Sequence, residues 1–317
     1  MEVGIIVGEA NDLSWERWRH VCHLVERLGY HSLFRSDHYF NGAQKDAIDV
    51  YLSFVLAAEV TERVRFGPLV SPVTFREPVN VGRMAQQLDA LSDGRFVLGL
   101  GAGWFADEHH AYGIDFPEPS ERYDRLAEAI ALMKELWYAE DGRFDGRHYQ
   151  LAGTDSKPHP PPGRPPILIG GSGPRRTLPL VAEHGNEWNT IRLDPADYAD
   201  RVVALERCCE DRGRDPAEIR RSMLLFAAIG PDRRHQDRAL ARYLAMVAPA
   251  GVPPTLDAVV AAGVTPPWQG SAEELIDHCG QLGQLGLDEV VFEHLCIEDD
   301  TIPEWIAAEI TPALHAL

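Results

Sequence analysis

The chain lacks the features that would mark a covalently braced scaffold, a polyanion binder or a membrane protein. Its five cysteines, Cys22, Cys208, Cys209, Cys279 and Cys296, include no C-x-x-C pair, so neither a disulfide framework nor a zinc or redox dithiol site is indicated. Cations are scarce: 30 Lys and Arg face 49 Asp and Glu, and the formal net charge of -19 argues against a nucleic-acid or anionic-membrane surface. No long apolar run is present, because the most apolar later region, Leu244 to Val264, is broken by Pro249, Pro253, Pro254 and Asp257. At the start, Glu2 is charged and Val3 to Val7 has only the length of a strand, so no secretory leader is expected and the protein reads as cytoplasmic. Fixed-period repeats and low-complexity tails are missing too. His109 and His110 are adjacent, and neighbouring residues do not share a face of a helix or strand, so no metal site is expected there.

What is present is a rhythm. Short apolar runs alternate with helical patterns, which is the signature of repeated βα units around a parallel sheet. Strands are expected near Val3–Val7, Ser32–Arg35, Arg65–Leu69, Phe96–Leu100, Ile167–Ile169, Glu187–Ile191, Ser222–Ala227 and Glu289–Glu293. Eight such strands close a barrel, so the expected fold is a single α/β domain over residues 1–317, a (β/α)8 TIM barrel with insertions. Cys22 lies on the stripe Trp15, Trp18, Val21, Cys22, Val25, Leu28 and reads as a core residue. Tyr123, Leu126, Ile130, Met133 and Trp137 repeat at helical spacing behind a possible Ser120 cap, and Ser271 to Glu274 has capping-box form. Two segments break the rhythm: 141–166, with an Asp145-Gly146 turn and a proline-rich tail, reads as an inserted hairpin and loop, and 249–267 as a long loop.

Barrel active sites are built at the C-terminal ends of strands. After the second strand come Ser36, Asp37 and His38, and a histidine beside an acid at a strand exit is a candidate general acid or base. The third strand exits through Gly67 to Pro78, too proline-rich to continue as a central strand, so its backbone must bulge. The fourth ends in Gly99, Gly101 and Gly103, which strip side chains from one face, followed by Trp104, Asp107 and Glu108. The fifth ends in Gly170, Gly171, Ser172, Gly173 and Pro174, a cradle in which backbone N–H groups can approach an anion. Pro174 suits the first position of a helix, and Arg175 and Arg176 in its first turn would oppose the helix dipole unless an anion were bound. The spacing matches neither a dinucleotide fingerprint nor a P-loop.

Taken in order, Ser36-Asp37-His38, Thr74-Phe75-Arg76-Glu77-Pro78, Gly94-Arg95-Phe96 through Trp104, and Ile169 through Gly173 with Glu187-Trp188-Asn189 resemble the bacterial-luciferase-like family of flavin- and deazaflavin-dependent oxidoreductases. The resemblance runs from Val3 through Glu293 and implies a barrel interrupted before its fifth strand, with a tricyclic cofactor across the mouth. It implies a non-prolyl cis peptide behind the ring, by position Pro68-Leu69, room beside the ring at Gly101 and Gly103, and Asp37 near its polar edge. The cofactor phosphate would lie at Gly170, Gly171, Ser172 and Gly173 with Arg175 close by. Ser36-Asp37-His38 with Glu187-Trp188-Asn189 is similar to the branch that uses the deazaflavin coenzyme F420, with FMN as the alternative cofactor. A hydride-transferring oxidoreductase is implied, with His38 as acid/base and Glu108 as second candidate, and with Trp104, Trp188 and Asn189 lining the pocket of a small-molecule substrate. Sugar-phosphate dehydrogenases of this branch carry an acid at the place of Trp104, so the indole points to a flatter, more apolar substrate. The rival readings are an FMN-dependent monooxygenase on the same barrel and a non-catalytic flavin-binding protein. A homodimer is also implied.

Overall fold

A computed structural model describes residues 1–8, 13–40, 48–248 and 252–317. β1 (Glu2–Val7), α1 (Trp15–Leu28), β2 (Ser32–Arg35) and α2 (Val50–Val60) open the chain. The third barrel strand comes in two pieces, β3 (Arg65–Pro68) and β4 (Ser71–Pro72), followed by α3 (Pro78–Leu91). Next come β5 (Leu98–Gly101), α4 (Ala106–Tyr112) and the long α5 (Pro119–Tyr138). A hairpin of β6 (Gly142–Asp145) and β7 (Gln150–Thr154) precedes β8 (Ile167–Gly170), α6 (Thr177–His184) and β9 (Glu187–Ile191). Then follow α7 (Pro195–Glu210), β10 (Arg220–Leu225), α8 (Arg233–Val247), α9 (Leu256–Ala261), α10 (Ala272–Gln284) and β11 (Glu289–Glu293). The segment α11 (Thr301–Trp305), a π-helical turn at Ile306–Ile310 and α12 (Thr311–His315) completes the order.

The main sheet is parallel in the order β3-β2-β1-β11-β10-β9-β8-β5-β4. It closes on itself because Phe66 of β3 bridges to Phe96: Val97 N–H donates to the Phe66 carbonyl at 2.9 Å and Phe66 N–H to the Arg95 carbonyl at 3.1 Å. β4 then pairs with β5 through Ser71–Leu100 and Pro72–Gly101. β3 and β4 are thus one barrel strand with a break, and the expected eight-stranded barrel is formed. Inside it, Ile6, Phe34, Leu69, Val97, Leu168, Leu224 and Val291 make a separate buried layer, each worth about 1.5–3 kcal/mol of burial. The alternate residues face the helices, where Trp18, Phe54, Phe66, Phe96, Trp137 and Trp188 fill the outer core. Below the inner layer the barrel is plugged by a polar belt in which Ser32 donates to the Glu289 carboxylate and Arg65 pairs with Glu187.

Local chemistry explains the boundaries. Ser14 caps α1 by accepting from Arg17 N–H at 3.1 Å, and Gly29 ends it in the left-handed region at φ 77. Trp18, Val21, Cys22 and Val25 of its stripe are buried, whereas Trp15, expected with them, is 46% exposed. The Ser271–Glu274 capping box is present on α10. Ser120 is not a cap: α5 begins one residue earlier, at Pro119, whose fixed φ suits the first helical position. The inserted hairpin forms antiparallel as expected, and its turn is held because Glu128 of α5 accepts from the backbone N–H groups of Arg147, His148 and Tyr149. Of the long loop expected over 249–267, residues 249–251 lie outside the described residues. The remainder includes α9 and returns so that Trp268 bridges to Ala227, extending β10. No helix among the described residues is long and apolar enough to cross a membrane.

Candidate active site

The break between β3 and β4 shapes the barrel mouth. Its cis peptide is Leu69–Val70, one residue later than the expected Pro68–Leu69. A Cβ on Gly99 would overlap the Pro68 carbonyl, one on Gly101 would come within 2.7 Å of Val70 Cγ2, and one on Gly170 within 2.9 Å of Val70 Cγ1. The glycines at these strand ends therefore make room first for the bulge, with the Val70 side chain lodged between β5 and β8. Gly103 serves differently: its φ of 78 turns the chain toward Trp104.

His38 leaves the end of β2 and meets Glu108 of α4, with Nδ1 2.7 Å from Oε1. The second carboxylate oxygen, Oε2, accepts from Tyr39 N–H at 2.9 Å, and Glu108 is fully buried. A carboxylate that only accepts calls for a proton on the Nδ1 that faces it. Glu108, expected as a second candidate for the proton, has both oxygens engaged by His38 and the Tyr39 amide and is out of reach of solvent. Trp104 stands edge-on to the imidazole at 5.6 Å and stacks on Phe105 at 5.1 Å, yet is 67% exposed. It is an aromatic wall with an open face. Its neighbour His109 turns the other way, with Nδ1 on the Phe105 carbonyl (2.8 Å) and Nε2 on the Thr74 hydroxyl (2.6 Å). Burial lowers its pKa, so it is a neutral packing residue.

Asp37 is buried beneath His38. It accepts from Ser71 Oγ at 2.6 Å and from the two Arg76 Nη groups at 2.5 and 3.2 Å. Burial disfavours the Arg76 charge, but the Asp37 carboxylate more than offsets that and holds the guanidinium above its ordinary pKa. Arg76 also lies over the Tyr51 ring, 5.0 Å from its centroid. This ion pair joins the second and third strand exits and was legible in the sequence only as the Thr74–Pro78 motif.

The glycine cradle follows β8. Gly171 has φ 123, where a side chain would be strained, and its N–H donates to the Asn189 carbonyl at 2.9 Å. The amides of Ser172, Gly173, Arg175 and Arg176 donate to no group among the described residues. The regular helix starts at Thr177 rather than at Pro174, so Arg175 and Arg176 sit in the exposed turn ahead of α6. Thr177, which sequence reasoning missed, places its buried hydroxyl 2.9 Å from Tyr123 Oη beneath the cradle. Trp188 and Asn189, expected to line the substrate pocket, are both buried. Strand alternation turns Trp188 outward, where it stacks on Tyr198 (5.7 Å, 7° between planes) and its Nε1–H donates to the Gly171 carbonyl at 2.7 Å. Asn189 points inward but donates to Ser222 Oγ at 2.9 Å within the buried interior. Both residues brace the cradle from behind.

Alternation along the strands also identifies mouth residues that motifs did not signal. Gly8, Ser36 and Gly170 take the inward positions above the inner layer where β1, β2 and β8 end, with the Glu293 carboxylate lying against Gly8 and the Val70 side chain against Gly170. Ile191 (48% exposed) and Phe226 occupy the same level on the β9–β10 side, and Glu293 at the end of β11 accepts from Gly8 N–H at 3.0 Å.

The family model of the luciferase-like monooxygenases matches residues 1–286. The chain is 31% identical over 213 residues to the F420-dependent hydroxymycolic acid dehydrogenase of Mycobacterium tuberculosis, covering 66% of this chain and 58% of that one. It is 35% identical over 208 residues to the F420-dependent glucose-6-phosphate dehydrogenase of Amycolatopsis mediterranei, covering 60% of each. The chain thus spans about 60% of the length of these curated relatives. Its fold matches an F420-dependent secondary alcohol dehydrogenase, solved with an F420-acetone adduct, at a TM-score of 0.78 and 19% identity over 96% of this chain and 98% of that one. With the match running from β1 through α10 and the same barrel formed, the chain belongs to the luciferase-like monooxygenase family.

Proposed function

We propose that this protein is a cytoplasmic oxidoreductase that transfers a hydride between coenzyme F420 and a small, largely apolar organic substrate, with His38 as its acid/base. The observation that carries the reading is the His38–Glu108 pair at a strand exit, beside a glycine-lined bulge and across from a cradle of unpartnered amides. The likeness to F420-dependent dehydrogenases supports the choice of cofactor.

The residues present suit such a cofactor. The amides of Ser172, Gly173, Arg175 and Arg176, with Arg175 itself exposed above them, would hold a phosphate, and Gly171 tolerates no side chain there. Leu69, Val70, Gly101 and Gly103 would flank the ring, with Asp37 and Arg76 fixing the adjoining strand exits. When bound, F420 accepts or donates a hydride at a carbon and reacts little with oxygen. The protein would supply the accompanying proton movement: Glu108 holds Nδ1–H, so Nε2 of His38 can take the proton from an alcohol as its carbon is oxidised, or return it in the reverse direction. Trp104, Ile191 and Phe226 would bind the apolar body and exclude water from the reacting carbon.

A homodimer belongs to the same reading. Leu52 and Val55, 61% and 45% exposed on α2, offer an apolar face to a second copy, and sedimentation as a monomer at micromolar concentration would contradict it. The function itself is tested by incubating oxidised and reduced F420 with the protein and panels of alcohols, enoates and imines, with dissolved oxygen followed in parallel. Cofactor turnover without oxygen uptake is expected. Oxygen uptake coupled to product with FMN would establish the monooxygenase reading instead.

A further inference from the structure

Two non-glycine residues have a left-handed backbone among the described residues, Asp93 (φ 53) and Arg192 (φ 47). Aspartate is at ease there because its short side chain bonds locally, whereas arginine has no such local compensation. Arg192 directly follows β9, at a strand exit on the barrel mouth. Its conformation delivers the guanidinium to one place. Nη1 donates to the Tyr243 hydroxyl and to the Thr265 carbonyl (3.0 Å), and the planar group lies over Phe226 at 4.7 Å and Tyr243 at 5.5 Å. Held on one nitrogen and one face, the group keeps its Nε–Nη2 edge without a hydrogen-bond partner, and without a carboxylate, among the described residues. That edge is the fork that matches a carboxylate or phosphate with two parallel N–H bonds. In a chain with 49 acids to 30 bases, a cation fixed at a strand exit and paired only with neutral acceptors is out of keeping with its surroundings.

We infer that Arg192 determines specificity by receiving an oxyanion, a carboxylate or phosphate, at the end of the substrate remote from the reacting carbon. Around the barrel the order β2, β1, β11, β10, β9 sets Arg192 half-way round the ring from His38. A substrate reaching from one to the other crosses Ile191 and Phe226, so its middle is apolar. The substrate class is an amphiphilic organic anion with the reacting group at the opposite end. This rests on the site reading above, and the test separates the two.

F420-loaded protein is titrated calorimetrically with phenylbutyrate, its neutral amide and phenylpropyl phosphate, and F420 affinity is measured on its own. At least one oxyanion probe is expected to bind about 10-fold or more tightly than the amide, as for a charge-assisted fork. Arg192→Asn keeps a residue that accepts the left-handed backbone and removes the cation; it should erase that preference while amide and F420 affinities hold. Arg192→Lys, a second variant in case Asn unfolds the loop, should keep only part of the preference, because an ammonium lacks the fork. Equal binding of all probes by the unaltered protein, or a preference that survives Arg192→Asn, overturns the inference. Weaker F420 binding by Arg192→Asn would also overturn it, by assigning the edge to the cofactor's own phosphate. Failure of the unaltered protein to bind F420 at all is a different result, and it defeats the site reading instead.

Discussion

Replacing Glu108 with Gln changes one atom's chemistry at a buried position and inverts the logic of the site. The Glu108 carboxylate accepts from His38 Nδ1–H at 2.7 Å and from Tyr39 N–H at 2.9 Å, and it has no exposure through which water could substitute. A glutamine there has one oxygen and one NH2 group. If the oxygen keeps the Tyr39 amide, the NH2 faces Nδ1, and the imidazole must carry its proton on Nε2 instead, where it can no longer accept one. Loss of the charged acceptor is worth about 1.5–3 kcal/mol, or roughly 10- to 150-fold in rate at about 1.4 kcal/mol per tenfold. The two effects overlap, because losing the acceptor is what ends general-base action, and that action is worth roughly 100- to 10,000-fold. Turnover is therefore expected to fall by roughly 100- to 10,000-fold, with F420 affinity nearly unchanged. A test that needs no substrate is 15N NMR of histidine-labelled protein: His38 should carry N–H on Nδ1, and in Glu108→Gln on Nε2. Neutral His38 protonated on Nε2 in the unaltered protein, or turnover within about threefold of it in Glu108→Gln, would refute the argument.

Three further outcomes follow from other parts of the fold. Trp188→Phe removes the bond to the half-buried Gly171 carbonyl and should cost about 0.5–1.5 kcal/mol in urea unfolding and weaken F420 binding by up to about 10-fold; an unchanged midpoint would show that Trp188 does not brace the cradle. Gly101→Ala would drive a Cβ to 2.7 Å from Val70 Cγ2 and should destabilise by about 1–3 kcal/mol, read from the denaturation midpoint, unless the bulge moves freely. His294 is buried, and burial lowers its pKa from 6.5 to about 4. The unfolded chain therefore takes up a proton there before the folded one does, so its contribution to stability is complete above pH 6.5 and is lost as pH falls toward 4. Stability measured over that range should fall less steeply in His294→Gln, and identical slopes would contradict the assignment.

Much of the barrel could be read from the chain because its cause is local. The Glu187–Ile191 strand was expected with its observed limits, and so was the inserted hairpin, since strand alternation and turn chemistry act over a few residues; its reversal falls one step later than the expected Asp145-Gly146, because Asp145 still pairs with Gln150 and Gly146 N–H donates to the Tyr149 carbonyl. The third strand was expected to bulge from its prolines, but the position of its cis peptide depends on how Val70 lodges between Gly101 and Gly170, a contact among three strands. His38 and Glu108 were each picked out, yet not as partners, because 70 residues separate them and only barrel closure brings α4 against the end of β2. Trp188 was expected at a pocket because an aromatic residue near a strand end suggests one, and only the strand's alternation decides that it stacks on Tyr198 of α7. Ile191, Arg192 and Phe226 lie in no motif at all, and their meeting at the mouth is a product of strand order.

The central claim is the identity of the cofactor that the mouth accepts. Purified protein free of cofactor is to be titrated separately with coenzyme F420 and with FMN, following cofactor fluorescence. The account predicts saturable, tight binding of F420 and weak binding of FMN, with the F420 affinity lowered in Trp188→Phe. Preference for FMN would move the protein to oxygen chemistry, and binding of neither would contradict the cradle at Gly170 to Gly173.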